Sequence, residues 1–103
     1  MEIYTSGRGQ GKTSRAIQLS AEKQMPIVCF SYHQMEHIKY RAKEMNLKMP
    51  KPIMFDDVRG KVIGNRRGLI VDDLDFLLRR LFDDEVHYAT MRTCNITRVK
   101  KES

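Results

Sequence analysis

Residues 6–13 read Ser6-Gly7-Arg8-Gly9-Gln10-Gly11-Lys12-Thr13. Glycine alternates with polar residues, and the run ends on a lysine and a hydroxyl side chain. Before it stands Glu2-Ile3-Tyr4-Thr5, a short β-prone stretch. After it Thr13, Ala16, Ile17, Ser20 and Ala21 recur at three- and four-residue steps, which predicts a helix from Lys12 to about Gln24 with a narrow face of small and apolar side chains. A helix with so small a face can lie close to a sheet. The glycine-rich run is therefore a strand-to-helix junction.

Such a junction is where a polyphosphate can be held. A helix N-terminus offers unpaired N–H groups and the positive end of a dipole. Glycines let the backbone wrap an anion in a concave nest with no side chain in the way. In this arrangement Lys12 reaches the β- and γ-phosphates, and the Thr13 hydroxyl coordinates Mg²⁺. The expected nucleotide-binding segment is Ser6, Gly7, Arg8, Gly9, Gln10, Gly11, Lys12, Thr13 and Ser14. It follows the pattern G-x-x-x-x-G-K-[ST] at every required position but the first, where Ser6 replaces glycine.

Further along, Pro26 punctuates the chain and Ile27-Val28-Cys29-Phe30 reads as a buried strand. Ser31-Tyr32-His33-Gln34 has the form of a capping box and predicts a helix start. Met35, Ile38, Ala42 and Met45 supply the apolar stripe of that helix, and Lys39, Arg41, Lys43 and Glu44 face out. It should end near Asn46, ahead of Pro50 and Pro52. Ile53-Met54-Phe55 is a short strand candidate, and Asp56–Gly68 reads as loop with one helical turn. Leu69-Ile70-Val71 is a buried strand, and Leu74, Leu77, Leu78 and Leu81 mark a helical face. Val86 to about Thr93 is the last strand expected, and Arg98–Ser103 a frayed basic tail. Alternation of this kind predicts an α/β fold: one domain over residues 1–103, three layers α/β/α, with a mostly parallel sheet of four to five strands.

The strand Leu69–Val71 runs straight into Asp72 and Asp73. A phosphate loop needs a carboxylate opposite it to help hold Mg²⁺, through a water where the ion keeps its hydration shell. Asp72 takes that part. Asp73 stands where an acid can orient or deprotonate an attacking water; the competing assignment is a residue of the first helical turn, where Asp is favoured. Asp75 has that plainer role.

With both motifs in place the chain resembles the P-loop NTPase superfamily. Ser6–Thr13 looks like a Walker A motif and Leu69–Asp73 like a Walker B motif. The resemblance is to the additional-strand ATPases, with Ile27–Phe30 and the Met35–Met45 helix as the insertion before Walker B, and the loop wording is similar to that of small phage and terminase ATPases. It implies ATP and Mg²⁺ as ligands, Lys12 and Asp73 as catalytic residues, and Thr13 and Asp72 as metal ligands. It also implies a polar γ-phosphate sensor at the end of the strand after Walker B. Thr90, Arg92, Thr93 and Asn95 are available there, with Thr93 or Asn95 preferred. No Asn-Lys-x-Asp sequence of the guanine-reading kind is present, which favours ATP. Arg66 and Arg67 are candidates for a loop near phosphate or for plain surface charge.

The chain has 103 residues and a net charge of +6, from 19 basic and 13 acidic residues. That balance attracts polyanions, which makes a nucleic acid or a nucleic-acid-processing protein a candidate partner alongside the nucleotide; the alternative is ordinary solubilising charge, since acidic residues are mixed among the basic ones. Cys29 and Cys94 form no metal-spacing motif, and Cys29 in its apolar run behaves as a small hydrophobe. His33 and His37 lie four apart but lack a third zinc ligand. Tyr32 and Tyr40 are either base-stacking or packing residues. No apolar run approaches the length of a membrane span, and a cytoplasmic setting without membrane association is expected. The activity expected is Mg²⁺-dependent ATP binding with slow or partner-stimulated hydrolysis, in a possible homo-oligomer. A non-hydrolysing ATP-gated module and a small phosphotransferase are the alternatives.

Overall fold

A computed structural model of the chain describes residues 1–6, 11–60 and 68–99. The element order is β1 (Glu2–Thr5), α1 (Lys12–Lys23), β2 (Ile27–Cys29), α2 (Tyr32–Glu44), β3 (Ile53–Met54), α3 (Phe55–Gly60), β4 (Ile70–Val71), α4 (Leu74–Phe82) and β5 (Asn95–Arg98). Every strand pairing among them is parallel. The protein is thus α/β, as its alternating pattern predicts. Its strands fall into a three-stranded sheet, order β3-β2-β4, and a two-stranded sheet, β1-β5. Two compact units contain them: Thr13–Asp72, and Met1–Lys12 together with Asp73–Ser103.

In the Thr13–Asp72 unit β2 is the central strand. Val28 aligns with Ile53 on one side and Val71 on the other. Its sequence Ile27-Val28-Cys29 is apolar without alternation because the strand is buried throughout. Ala16 and Ile17 of α1 join Ile27, Cys29 and the α2 residues Met35, Ile38 and Ala42 in one cluster. Ser20, also buried in α1, donates its hydroxyl hydrogen to the Met25 carbonyl at 2.6 Å, which satisfies the one polar group on that face. The three- and four-residue steps predicted for both helices are therefore the spacing of the core.

The caps that bound α2 follow from local chemistry. Ser31 is the N-cap, and its Oγ accepts from the Gln34 N–H at 3.1 Å. Gln34 reaches back, but to the Phe30 N–H at 2.8 Å and not to that of Ser31, so the box is shifted by one residue. At the other end Asn46 adopts a left-handed conformation, φ 57°. The Leu47 N–H donates to Ala42 O and the Asn46 N–H to Lys43 O, each at 3.0 Å, the pair of bonds that closes a Schellman motif. The helix ends at Glu44 with Met45 as its C-cap, close to the Asn46 expected, and Leu47 turns in to pack on the core cluster.

One residue near β3 departs from expectation. Phe55 does not extend the strand; it opens α3, and its ring lies 5.6 Å from that of Phe30. Burial against an aromatic neighbour outweighs the β propensity of the residue.

In the unit of Met1–Lys12 and Asp73–Ser103, β1 pairs with β5 in the register Glu2 with Asn95 through Thr5 with Arg98. This corrects the last strand. Val86–Thr93 contains no strand, and the strand is Asn95–Arg98. All four of its residues are exposed, so backbone pairing and not apolar burial defines it. The expected frayed tail is corrected with it: Arg98 belongs to β5, and the Val99 N–H donates to the Thr5 carbonyl at 2.6 Å. Residues 100–103 lie outside the described residues. In α4, Leu74, Leu77 and Leu78 are half-buried and Leu81 is exposed.

Candidate functional site

The acid predicted to hold metal and the hydroxyl predicted to join it meet. Thr13 Oγ1 donates to Asp72 Oδ2 at 3.0 Å across 59 residues of sequence. Both belong to the Thr13–Asp72 unit. Asp72 follows the carboxyl end of β4 and is only 9% exposed, while Thr13 lies in the first turn of α1. A hydroxyl and a carboxylate are hard oxygen donors of the kind Mg²⁺ takes, usually two from protein with phosphate and water completing the shell. The pair fits that ion. Among the described residues no cluster of three or more His, Cys, Asp or Glu side chains that could hold a metal occurs, and His33 and His37 are exposed on α2.

Cys29 borders this pair. Val28 aligns with Val71, so Cys29, the last residue of β2, lies level with Asp72, the residue that follows β4. Burial pushes the Cys29 thiol up from its ordinary 9.0 to about 11, with the Asp72 carboxylate adding to the rise and Lys39 opposing it. Two outcomes are expected. In native protein at pH 8, iodoacetamide should modify Cys94 and spare Cys29, with both reacting after denaturation, as read by peptide mass spectrometry. Rapid native labelling of Cys29 would overturn the buried placement beside Asp72. The thiol also ionises first in the unfolded chain. Its contribution to stability is therefore complete below pH 9.0 and lost as pH climbs towards about 11.

Ser14, expected at the phosphates, has its hydroxyl engaged elsewhere. Arg41 Nε and Nη2 both donate to Ser14 Oγ, at 3.3 and 3.1 Å. Arg41 faces out of α2, as its position in the helix predicts, and is exposed. Its reach across to α1 is invisible in the periodicity, which fixes the direction of Cβ and not where a long side chain ends.

In the other unit, Lys12 and Asp73 line one cleft of about 400 Å³, together with Asp75, Phe76, Arg79 and His87 among others. Asp73 is the N-cap of α4: its Oδ1 accepts from the Phe76 N–H at 3.2 Å, and its backbone is left-handed at φ 75°. Asp75 lies in the first turn of the same helix. Short polar side chains tolerate this left-handed conformation, which explains an aspartate at the cap. The helix-start role weighed for Asp73 is thus realised, in a cleft that also holds Lys12. Arg79 and His87 are cleft residues that no motif in the sequence announces.

Gly11 has φ 92°, where an L side chain is strained even though the space beside it is open. This is the conformational reason for glycine immediately before Lys12. Gly7, Arg8, Gly9 and Gln10 lie outside the described residues, as do Arg66 and Arg67. Ser6 follows β1 directly.

The residue at the end of the strand beside β1 also changes. Thr90, Arg92 and Thr93 precede β5, and Asn95 opens it opposite Glu2. The carboxyl end, where β1 leads into Ser6, carries Thr97 opposite Tyr4 and Arg98 opposite Thr5. Among the described residues no helix is long and apolar enough to cross a membrane. Comparison with protein-family models, with curated proteins and with solved structures gives no match.

Proposed function

We propose that the protein binds ATP with Mg²⁺ and hydrolyses it slowly or on stimulation by a partner. The observation that carries this reading is the Thr13–Asp72 hydrogen bond, which joins two residues assigned to one metal ion from separate motifs. In this reading the backbone N–H groups of the Ser6–Thr13 loop and the Lys12 ammonium hold the phosphates. The Thr13 hydroxyl and the Asp72 carboxylate hold Mg²⁺, which neutralises phosphate charge when bound. The finer architecture proposed with it is the three-layer P-loop sandwich with one mostly parallel sheet of four to five strands. The setting proposed is the cytoplasm and a nucleic-acid process, with a homo-oligomer as a possible working form.

A second reading, an ATP-gated module with negligible turnover, is favoured by one observation. The Asp73 carboxylate caps α4 through the Phe76 N–H, so an oxygen needed to orient water is already engaged. Phosphate release separates the two readings.

The direct test is titration of a fluorescent ATP analogue with and without Mg²⁺, followed by phosphate release with and without DNA or RNA. Saturable binding, tighter with Mg²⁺ and lost in Lys12→Ala, is expected. Absence of saturable binding under either condition would remove the proposal. Binding with no phosphate release under any condition would leave the gated module.

A further inference from the structure

The Schellman turn at the end of α2 sets up a second feature. From Leu47 to Pro52 the chain runs back beside the helix it has just left, and between the two lies a groove of about 510 Å³. Lys39 and Lys43 line it from α2; Lys48 and Lys51 line it from the returning segment. Among the described residues, no acidic one lines it. Of the nearest helix carboxylates, Glu36 pairs with the groove's own Lys39 at 3.5 Å, and Glu44 is turned to Arg41 at 4.0 Å. Among the described residues, no carboxylate lies within ion-pair distance of Lys43, Lys48 or Lys51.

This concentration of charge is held on a fixed backbone. Asn46 is locked in its left-handed turn, and the Lys48 carbonyl accepts from Gln24 Nε2 at 3.3 Å. Pro52 is buried at the far end, and Leu47 and Met49 pack on the core cluster. Four ammonium groups line one concave surface, and only Lys39 has a carboxylate beside it; the remaining like charges repel each other unless an anion is present, so the groove suits an extended polyanion. The ammonium groups are point charges that suit phosphates without reading bases. Tyr40, 65% exposed, stands one helical turn before Lys43 and offers a ring for stacking. Lysines beside an apolar floor and an exposed aromatic are the chemistry of single-strand binding.

We propose that the groove between α2 and Leu47–Pro52 binds the phosphate backbone of single-stranded nucleic acid without sequence preference. It lies apart from the Thr13–Asp72 pair. Pro52 leads into the amino end of β3, whereas Asp72 follows the carboxyl end of β4, and in a parallel sheet these are opposite edges.

The test is fluorescence anisotropy of a labelled oligothymidylate 20-mer, without nucleotide, between about 50 and 200 mM salt. Four phosphate contacts predict a log–log salt slope near about −3 for a single strand. Lys43→Glu with Lys48→Glu should weaken binding at least roughly tenfold, and Lys43→Gln with Lys48→Gln should reduce the slope by about 1.4. Lys43→Arg with Lys48→Arg should retain binding. The control pair Arg80→Glu with Arg92→Glu, exposed in the other unit, should change affinity much less. An equal loss in the control pair would overturn the groove, as would absence of binding by the wild type at the lowest salt. Equal displacement by polyglutamate would reassign it to an acidic protein. The Lys43→Glu and Lys48→Glu variant should keep its affinity for the ATP analogue, so failure of the groove and failure of the nucleotide reading give different results.

Discussion

Asp72→Asn is expected to strip most of the Mg²⁺ dependence from ATP binding, lowering affinity in Mg²⁺ roughly 10- to 100-fold, or about 1.4–2.8 kcal/mol. Affinity in EDTA should hardly change. The substitution keeps the shape of the side chain and an oxygen that can accept from Thr13, which now donates at 3.0 Å. It removes only the charge. The same logic applies from the other partner: Thr13→Ser keeps the hydroxyl and should keep the metal effect, and Thr13→Val should lose it. Because the two side chains touch, their effects should not add. The Thr13→Val and Asp72→Asn double variant should be little worse than either single one. The measurement is the ratio of dissociation constants in EDTA and in Mg²⁺ for the wild type and the four variants. An unchanged ratio in Asp72→Asn would mean that the hydrogen bond is structural and the metal sits elsewhere.

Ile38→Ala should have the largest effect on stability, about 2–5 kcal/mol, with Ile38→Val costing about 0.5–1.5. Ile38 is fully buried at the middle of α2, among Ile17, Ile27, Cys29 and Met35. Its removal leaves a cavity in a cluster of few residues, and a small domain has only about 5–15 kcal/mol to lose. Phe82→Ala is the contrast. That ring is larger, but it is 65% exposed at the end of α4, and the cost should stay within about 0.5 kcal/mol. Urea denaturation of the three variants checks both. Equal destabilisation by Phe82→Ala and Ile38→Ala would show that the outer face of α4 is covered in solution.

The parts legible in the sequence are those whose signal is local. α1 and α2 announce themselves because their apolar spacing is the spacing of the core, and Ser31 and Asn46 punctuate α2 with their own hydrogen bonds. β2 and β4 are legible as apolar runs. The strand Asn95–Arg98 is not, because it is fully exposed and is specified by pairing with Glu2–Thr5, far away in the chain. Val86–Thr93 has the residues of a strand but pairs with no strand among the described residues, which is why propensity misplaced it. At the site, Asp72 could be inferred from the run of apolar residues that leads into it. The engagement of Ser14 by Arg41, and that of Asp73 by the Phe76 N–H, depend on side-chain reach and cap geometry that spacing does not encode.

The pairing of Glu2–Thr5 with Asn95–Arg98 also has a kinetic consequence. Much of the Thr13–Asp72 unit closes over short stretches, α1 returning to β2 and α2 to β3, while its longest closures, β2 with β4 and Thr13 with Asp72, still span less of the chain than β1 with β5. It can condense while the chain is still growing. The strand that leads into Ser6 cannot find its partner until the chain has been made through Arg98. Closing so long a loop costs more entropy than any contact inside the other unit, so this pairing is expected to come late on the route to the native state, with the largest slowing from added length between β1 and β5. The segment before Ser6–Thr13 is then among the last to be fixed, after the hydrophobic cluster has formed.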